Sequence, residues 1–107
     1  MEQYKLKFWF EHAGICIWGA NEAAKEKYGY AIETALLPLS QSLIGKVNQL
    51  EDEYHTYLDW EYPPNPSPWT EEHKQDFIKR ATEVFLLLCK ELGTDYVVEN
   101  AVNSCVL

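Results

Sequence analysis

Residues 4–10 read Tyr4-Lys5-Leu6-Lys7-Phe8-Trp9-Phe10, and this stretch decides the fold class. Large apolar side chains alternate with two lysines and a tryptophan, which is the period of a strand with one buried face. After a short segment that contains a glycine, Ile15-Cys16-Ile17-Trp18 is again rich in β-branched and aromatic residues. The two runs therefore predict a β-hairpin in which Trp9 and Trp18 share the outer face.

Helix signals follow the hairpin. Asn21 is a suitable N-cap for a helix over residues 22–28, and a glycine stands where such a helix would stop. Residues 30–39 show no clean period, so we predict a loop packed on the core. A second helix is predicted from Ser40 or Ser42, because apolar residues then recur at helical spacing: Leu43, Val47, Leu50, Tyr54 and Leu58.

The proline-rich segment over residues 62–68 cannot be helical, because proline lacks a backbone N–H and biases the preceding residue toward extended geometry. We predict a stiff connector there. A third helix is expected over residues 68–92, with Ser67 as its cap and Gly93 as its stop. A last strand is predicted over residues 95–99.

These elements predict an α+β fold in one domain, residues 1–107. The expected order is β-β-α-α-α-β, with a small antiparallel sheet (hairpin plus C-terminal strand) packed against three helices. The length of 107 residues suits a single core. The side chains expected in that core are Phe8, Ile17, Val47, Leu50, Phe77, Val84, Phe85 and Leu88.

Charge and composition narrow the possible functions. Nine Lys and Arg against seventeen Asp and Glu give a formal charge of −8, which opposes binding to nucleic acid and to anionic membranes. The longest apolar run, residues 84–89, is far shorter than the roughly 20 residues of a membrane span. No secretory signal is visible, so we expect a cytoplasmic protein, monomeric when free. The three cysteines are widely spaced and are expected to be reduced and mostly buried.

Catalytic and metal-binding patterns are weak. Glu51, His55 and Asp59 share one side of the second helix, but the His-Glu-x-x-His zinc motif is absent, and a solvated polar face explains the same residues. His12 and His73 have no recognisable nucleophile beside them. The glycines are dispersed, so no phosphate-binding loop is expected. We predict a protein that is not an enzyme and uses no cofactor or metal.

The most informative feature is an acidic, aromatic window between Lys46 and Lys74, which contains no Lys or Arg and carries a charge of −7. Aromatic rings supply rigid contact area and carboxylates steer a cationic partner, so the window predicts a protein-binding surface. The alternative is that the rings pack on one another to fix the connector while the acids are merely solvated. The candidate partner-binding residues are Glu51, Asp52, Glu53, Tyr57, Asp59, Trp60, Glu61, Tyr62, Trp69, Glu71 and Glu72.

The pattern Trp60-Glu61-Tyr62-Pro63-Pro64-Asn65-Pro66-Ser67-Pro68-Trp69 resembles a motif of small bacterial proteins. In size and charge the chain is similar to immunity proteins of bacterial toxin–immunity systems of the contact-dependent growth inhibition type. That resemblance implies a cytoplasmic inhibitor of a cognate toxin, commonly a basic nuclease, and it assigns no functional residue. The alternatives are an interaction module or accessory subunit of another bacterial complex, and a small ligand-binding domain or enzyme.

Overall fold

Three strands and three helices form the fold. The structure, a computed structural model, describes residues 3–11, 15–57, 61 and 67–102. The strands are β1 (Tyr4–Phe8), β2 (Ile17–Gly19) and β3 (Tyr96–Asn100), and they form one sheet in the order β2-β1-β3. The helices are α1 (Glu22–Tyr28), α2 (Gln41–Tyr54) and α3 (Glu71–Leu92). The predicted α+β class and the order β-β-α-α-α-β are confirmed.

Side-chain caps fix two of the helix starts where the sequence predicted them. The Asn21 side-chain oxygen accepts the N–H of Ala24 at 3.0 Å, and the Ser40 hydroxyl accepts the N–H of Leu43 at 3.2 Å. Such caps satisfy backbone donors that the first turn of a helix leaves free. Three short 3₁₀ segments, Thr34–Leu36, His55–Tyr57 and Gly93–Asp95, connect the larger elements.

The start of the third helix differs from the prediction. α3 begins at Glu71, and its cap is Thr70, whose hydroxyl accepts the N–H of His73 at 3.1 Å. Ser67 does not cap the helix, because its hydroxyl donates to the carbonyl of Tyr57 and accepts the N–H of Trp69. Ser67 therefore ties the entry of α3 to the segment that follows α2. Leu58, predicted on the second helix, lies outside the described residues.

The sheet is mixed, so the prediction of an antiparallel C-terminal strand is wrong. β1 pairs antiparallel with β2 but parallel with β3, with Tyr4 opposite Tyr96. The reason is the direction of α3, which runs against β1: Phe77 contacts Phe10 at a ring distance of 5.0 Å, and Phe85 contacts Phe8 at 6.3 Å. α3 thus returns the chain to the end of the sheet where β1 begins.

The predicted core is largely confirmed. Phe8, Ile17, Val47, Leu50, Phe77, Val84 and Leu88 are buried, and Phe85 is half-buried against them. The segment predicted as a loop over residues 30–39 adds Ile32 and Leu37 to this core, which its lack of period did not show. Trp9 and Trp18 pack on the outer face at a ring distance of 6.1 Å, as expected.

The cysteine prediction holds in part. Cys16 is buried and Cys89 is exposed, and both are free thiols. The exposure of Cys89 contradicts the expectation of mostly buried cysteines, because its position on α3 falls outside the apolar stripe. Within the part of the chain that the structure describes, no helix has the length and apolarity to cross a membrane.

Candidate functional site

Three residues of the predicted partner-binding set, Glu53, Tyr57 and Trp69, lie where the end of α2 packs against the start of α3. The Trp69 indole N–H donates to the hydroxyl of Thr56 at 2.8 Å, which holds the two helix ends together. Four acids of the predicted set, Asp52, Glu61, Glu71 and Glu72, are exposed, and we call these four residues the acidic surface. Asp59, Trp60 and Tyr62 belong to the predicted set but lie outside the described residues.

Glu53 is at the centre of an ion-pair network between the two helices. Its carboxylate accepts two hydrogen bonds from the Arg80 guanidinium, at 2.7 and 2.6 Å, and lies 2.9 Å from Nε2 of His73. Arg80 also donates from Nε to Asp76 at 2.7 Å. Hydrogen bonds from Arg80, followed by those from His73, hold the pKa of Glu53 below its ordinary value. Glu53 is therefore committed to an internal partner.

This network corrects the interpretation of the acidic window. Along the sequence the window contains no Lys or Arg, but the fold places Arg80 from α3 against its central carboxylate. The spacing of Asp76 and Arg80, four residues apart on a helix, could have indicated their pairing. The contact between Glu53 and Arg80 joins residues distant in sequence, and no local pattern indicates it.

The two described aromatic residues of the predicted set serve packing. Trp69 is 6% exposed and belongs to the core, which agrees with the alternative in which this ring packs to fix the connector. Its ring stacks on His73 at 4.0 Å and meets Tyr57 edge to face at 5.3 Å. Tyr57 is half-buried and lies parallel to Tyr54 at 5.3 Å. These rings pack the end of α2 and the segment after it against the start of α3.

Glu51 lies apart from the other acids, on the side of α2 that faces the hairpin. It borders a cavity of about 230 Å³ whose lining includes Ile15, Thr34 and Asn48. Burial raises the pKa of Glu51 to about 7, although hydrogen bonds from Cys16 oppose the shift. Near neutral pH this carboxyl is therefore only partly ionised, and it contributes less negative charge than the sequence suggests.

Two of the exposed acids lie at the start of α3. Glu71 and Glu72 occupy the first turn of α3, where the positive end of the helix dipole stabilises them. The Lys74 Nζ lies 3.5 Å from Oε1 of Glu71, but 82% of the Glu71 side chain remains exposed. Such a pair is weak and leaves the carboxylate available to another cation. The surface can therefore steer a positively charged partner.

No metal centre is apparent in the ranges that the structure describes. No group of three or more His, Cys, Asp or Glu residues is arranged to hold a metal ion there. An open groove of about 400 Å³ runs between α2 and α3, with Lys46, Gln49 and Glu83 on its sides and Leu50 and Val84 at its base. The groove adjoins the Glu53–Arg80 pair.

A family model described as Serratia CdiI immunity protein-like matches residues 4–101. The chain belongs to this family. The match covers all three strands and all three helices, and it confirms the resemblance to immunity proteins of contact-dependent growth inhibition. Membership implies an inhibitor that binds a cognate toxin, and immunity proteins of this kind generally act without catalysis. No curated protein matches the sequence.

Proposed function

We propose that this immunity protein neutralises a basic cognate toxin by binding it through the acidic surface. The observation that carries the proposal is the exposure of Asp52, Glu61, Glu71 and Glu72. Asp52, Glu71 and Glu72 lie on helices, so binding would order their side chains but not their backbone. Their charge accelerates encounter with a cationic protein.

A nuclease is the class of toxin that this charge fits best. An enzyme that binds the polyanionic backbone of nucleic acid carries Lys and Arg around its active site. A surface of carboxylates is complementary to those cations and would occupy the place of the substrate phosphates. The net charge of −8 on the immunity protein adds long-range attraction to the same partner.

The test is charge reversal at three exposed positions, Asp52→Lys, Glu71→Lys and Glu72→Lys in one protein. The toxin encoded beside the immunity gene would be co-purified with it, and association kinetics would be measured at two salt concentrations. We expect the association rate to fall by about 10-fold or more at low salt and its salt dependence to flatten, since rim charges act chiefly on encounter. Circular dichroism would confirm folding.

The matched control reverses three other exposed acids, Glu22, Glu26 and Glu33, which lie on or after α1. The net change in charge is the same, so an effect of total charge alone would appear equally in both proteins. We expect the control to retain most of the association rate. Equal behaviour of the two triple variants would place the interface elsewhere on the molecule.

A further inference from the structure

The two edges of the sheet differ. The outer side of β2 is covered by the chain after α1: the N–H of Gly19 donates to the carbonyl of Tyr30 at 2.8 Å, and the N–H of Ile32 donates to the carbonyl of Ile17 at 2.9 Å. β3 forms the opposite edge. Among residues 3–11, 15–57, 61 and 67–102, none hydrogen-bonds to the outer side of β3 beyond its first residue.

The parallel register identifies the backbone groups on that free side. The N–H of Ala101 donates to the carbonyl of Phe8 at 2.9 Å, and Phe8 is the register partner of Asn100. Because hydrogen-bonding direction alternates along a strand, Val97 and Glu99 direct their N–H and C=O groups toward β1. Val98 and Asn100 therefore direct theirs outward. We call these outward groups, with the carbonyl of Tyr96, the free edge.

No strand within the described part of the chain pairs with the free edge. Val97 is 44% exposed, and Glu99 and Asn100 are exposed as well. β3 is five residues long and contains no proline, the residue that most directly blocks pairing at a sheet edge. The N–H of Tyr96 is already bonded to the carbonyl of Gly93, so pairing would begin at the Tyr96 carbonyl and extend to Asn100.

Charge indicates what could occupy this edge. Asp95, just before β3, and Glu99 are both exposed, and Glu99 lies on the same side of the strand as Val97. Two copies pairing through β3 would bring these acids close to their counterparts, in chains that each carry a charge of −8. Like charges opposite one another destabilise strand pairing, whereas Lys or Arg on the added strand would stabilise it.

We propose that β3 accepts a strand bearing Lys or Arg from the cognate toxin, which extends the sheet to four strands. This inference rests on the proposed function and adds a second, backbone-mediated contact to the acidic surface. In such pairing the main-chain hydrogen bonds supply affinity and the alternating side chains supply specificity.

The test compares Val98→Pro with Val98→Ala in binding to the cognate toxin. Val98→Pro removes the outward N–H and obstructs the added strand, whereas Val98→Ala keeps that N–H and only trims a side chain that packs against the core. Since that N–H makes no bond to β1, Val98→Pro should still fold, as circular dichroism would show. We expect Val98→Pro to weaken toxin binding by about 10- to 100-fold and Val98→Ala to remain within about threefold of the unaltered protein.

Amide hydrogen exchange of the unaltered protein, measured residue by residue, gives a readout that does not depend on a variant. The amides of Val98 and Asn100 should exchange fast in the free protein and slowly in the complex, while those of Val97 and Glu99 are protected in both. Toxin binding without protection of the Val98 and Asn100 amides would contradict the proposal of an added strand, but it would not contradict binding through the acidic surface. Absence of toxin binding would overturn the proposed function itself. If the amides of Val98 and Asn100 were protected without toxin and the protein sedimented as a dimer, the free edge would be paired with a second copy of this chain and the proposal would be wrong.

Discussion

The pair between Glu53 and Arg80 should couple α2 to α3 measurably. The perturbation is a double-mutant cycle with Glu53→Ala, Arg80→Ala and the double variant. Two charge-assisted hydrogen bonds at 2.7 and 2.6 Å form the contact, and the side chains are 24% and 40% exposed. Exposed pairs contribute about 0–1 kcal/mol, and bidentate geometry at a partly buried site raises that value. We expect a coupling free energy of about 1–2 kcal/mol.

The assay is urea denaturation of all four proteins, with the free energy of unfolding obtained from each midpoint and slope. A second cycle at Glu71 and Lys74 is the control, because their atoms lie 3.5 Å apart and Glu71 is 82% exposed. That control should give a coupling of no more than about 0.3 kcal/mol. Equal couplings in the two cycles would refute the argument that the Glu53 network fixes the helix pair.

The pH dependence of this coupling has a definite sign. The Arg80 guanidinium holds the pKa of Glu53 below its ordinary value, so the carboxylate is stabilised in the folded state. Its contribution to stability is present above the unfolded-state pKa of about 4.3 and is lost as pH falls through the lowered folded-state value. Coupling measured at pH 7 should therefore diminish in strongly acidic solution.

Two further predictions concern stability. Leu88→Ala should lower the free energy of unfolding by about 2–5 kcal/mol, because Leu88 is 1% exposed in the core; a loss below about 1 kcal/mol in urea denaturation would contradict this packing. Glu51→Gln should stabilise the protein by about 1 kcal/mol at pH 8 and have little effect at pH 4. The reason is that the pKa of Glu51 is raised to about 7 in the folded protein, so its ionisation disfavours the folded state as pH rises above the pKa of Glu51 in the unfolded chain. An equal effect at both pH values would show that ionisation of Glu51 is not the cause.

Local patterns predicted the elements well. The alternation in residues 4–10 gave β1 and its buried face, and Asn21 and Gly93 marked helix ends because capping depends on a few neighbouring residues. The helical spacing of Val47 and Leu50 on α2, and of Phe77, Val84 and Leu88 on α3, identified buried positions for the same reason. These features are properties of a single segment.

Features that join distant segments were not predictable. The parallel pairing of β3 depends on the direction in which α3 crosses the sheet, and nothing within residues 95–99 encodes that direction. Trp69 lies among carboxylates in sequence but is buried in space, where it packs on His73 and Phe77. Arg80 joins the acidic window only through the packing of α2 on α3.

The parallel contact between β1 and β3 also determines when the protein can fold. β1 is synthesised first and is the central strand, but its partner Tyr96–Asn100 leaves the ribosome only after all three helices have been made. Until then the backbone groups of Tyr4, Leu6 and Phe8 that face β3 have no strand to bond. Contacts between residues so far apart in sequence slow folding, because a long loop must close before they form. The sheet of a newly made chain therefore stays incomplete, with one side of its central strand unpaired, until β3 has been made.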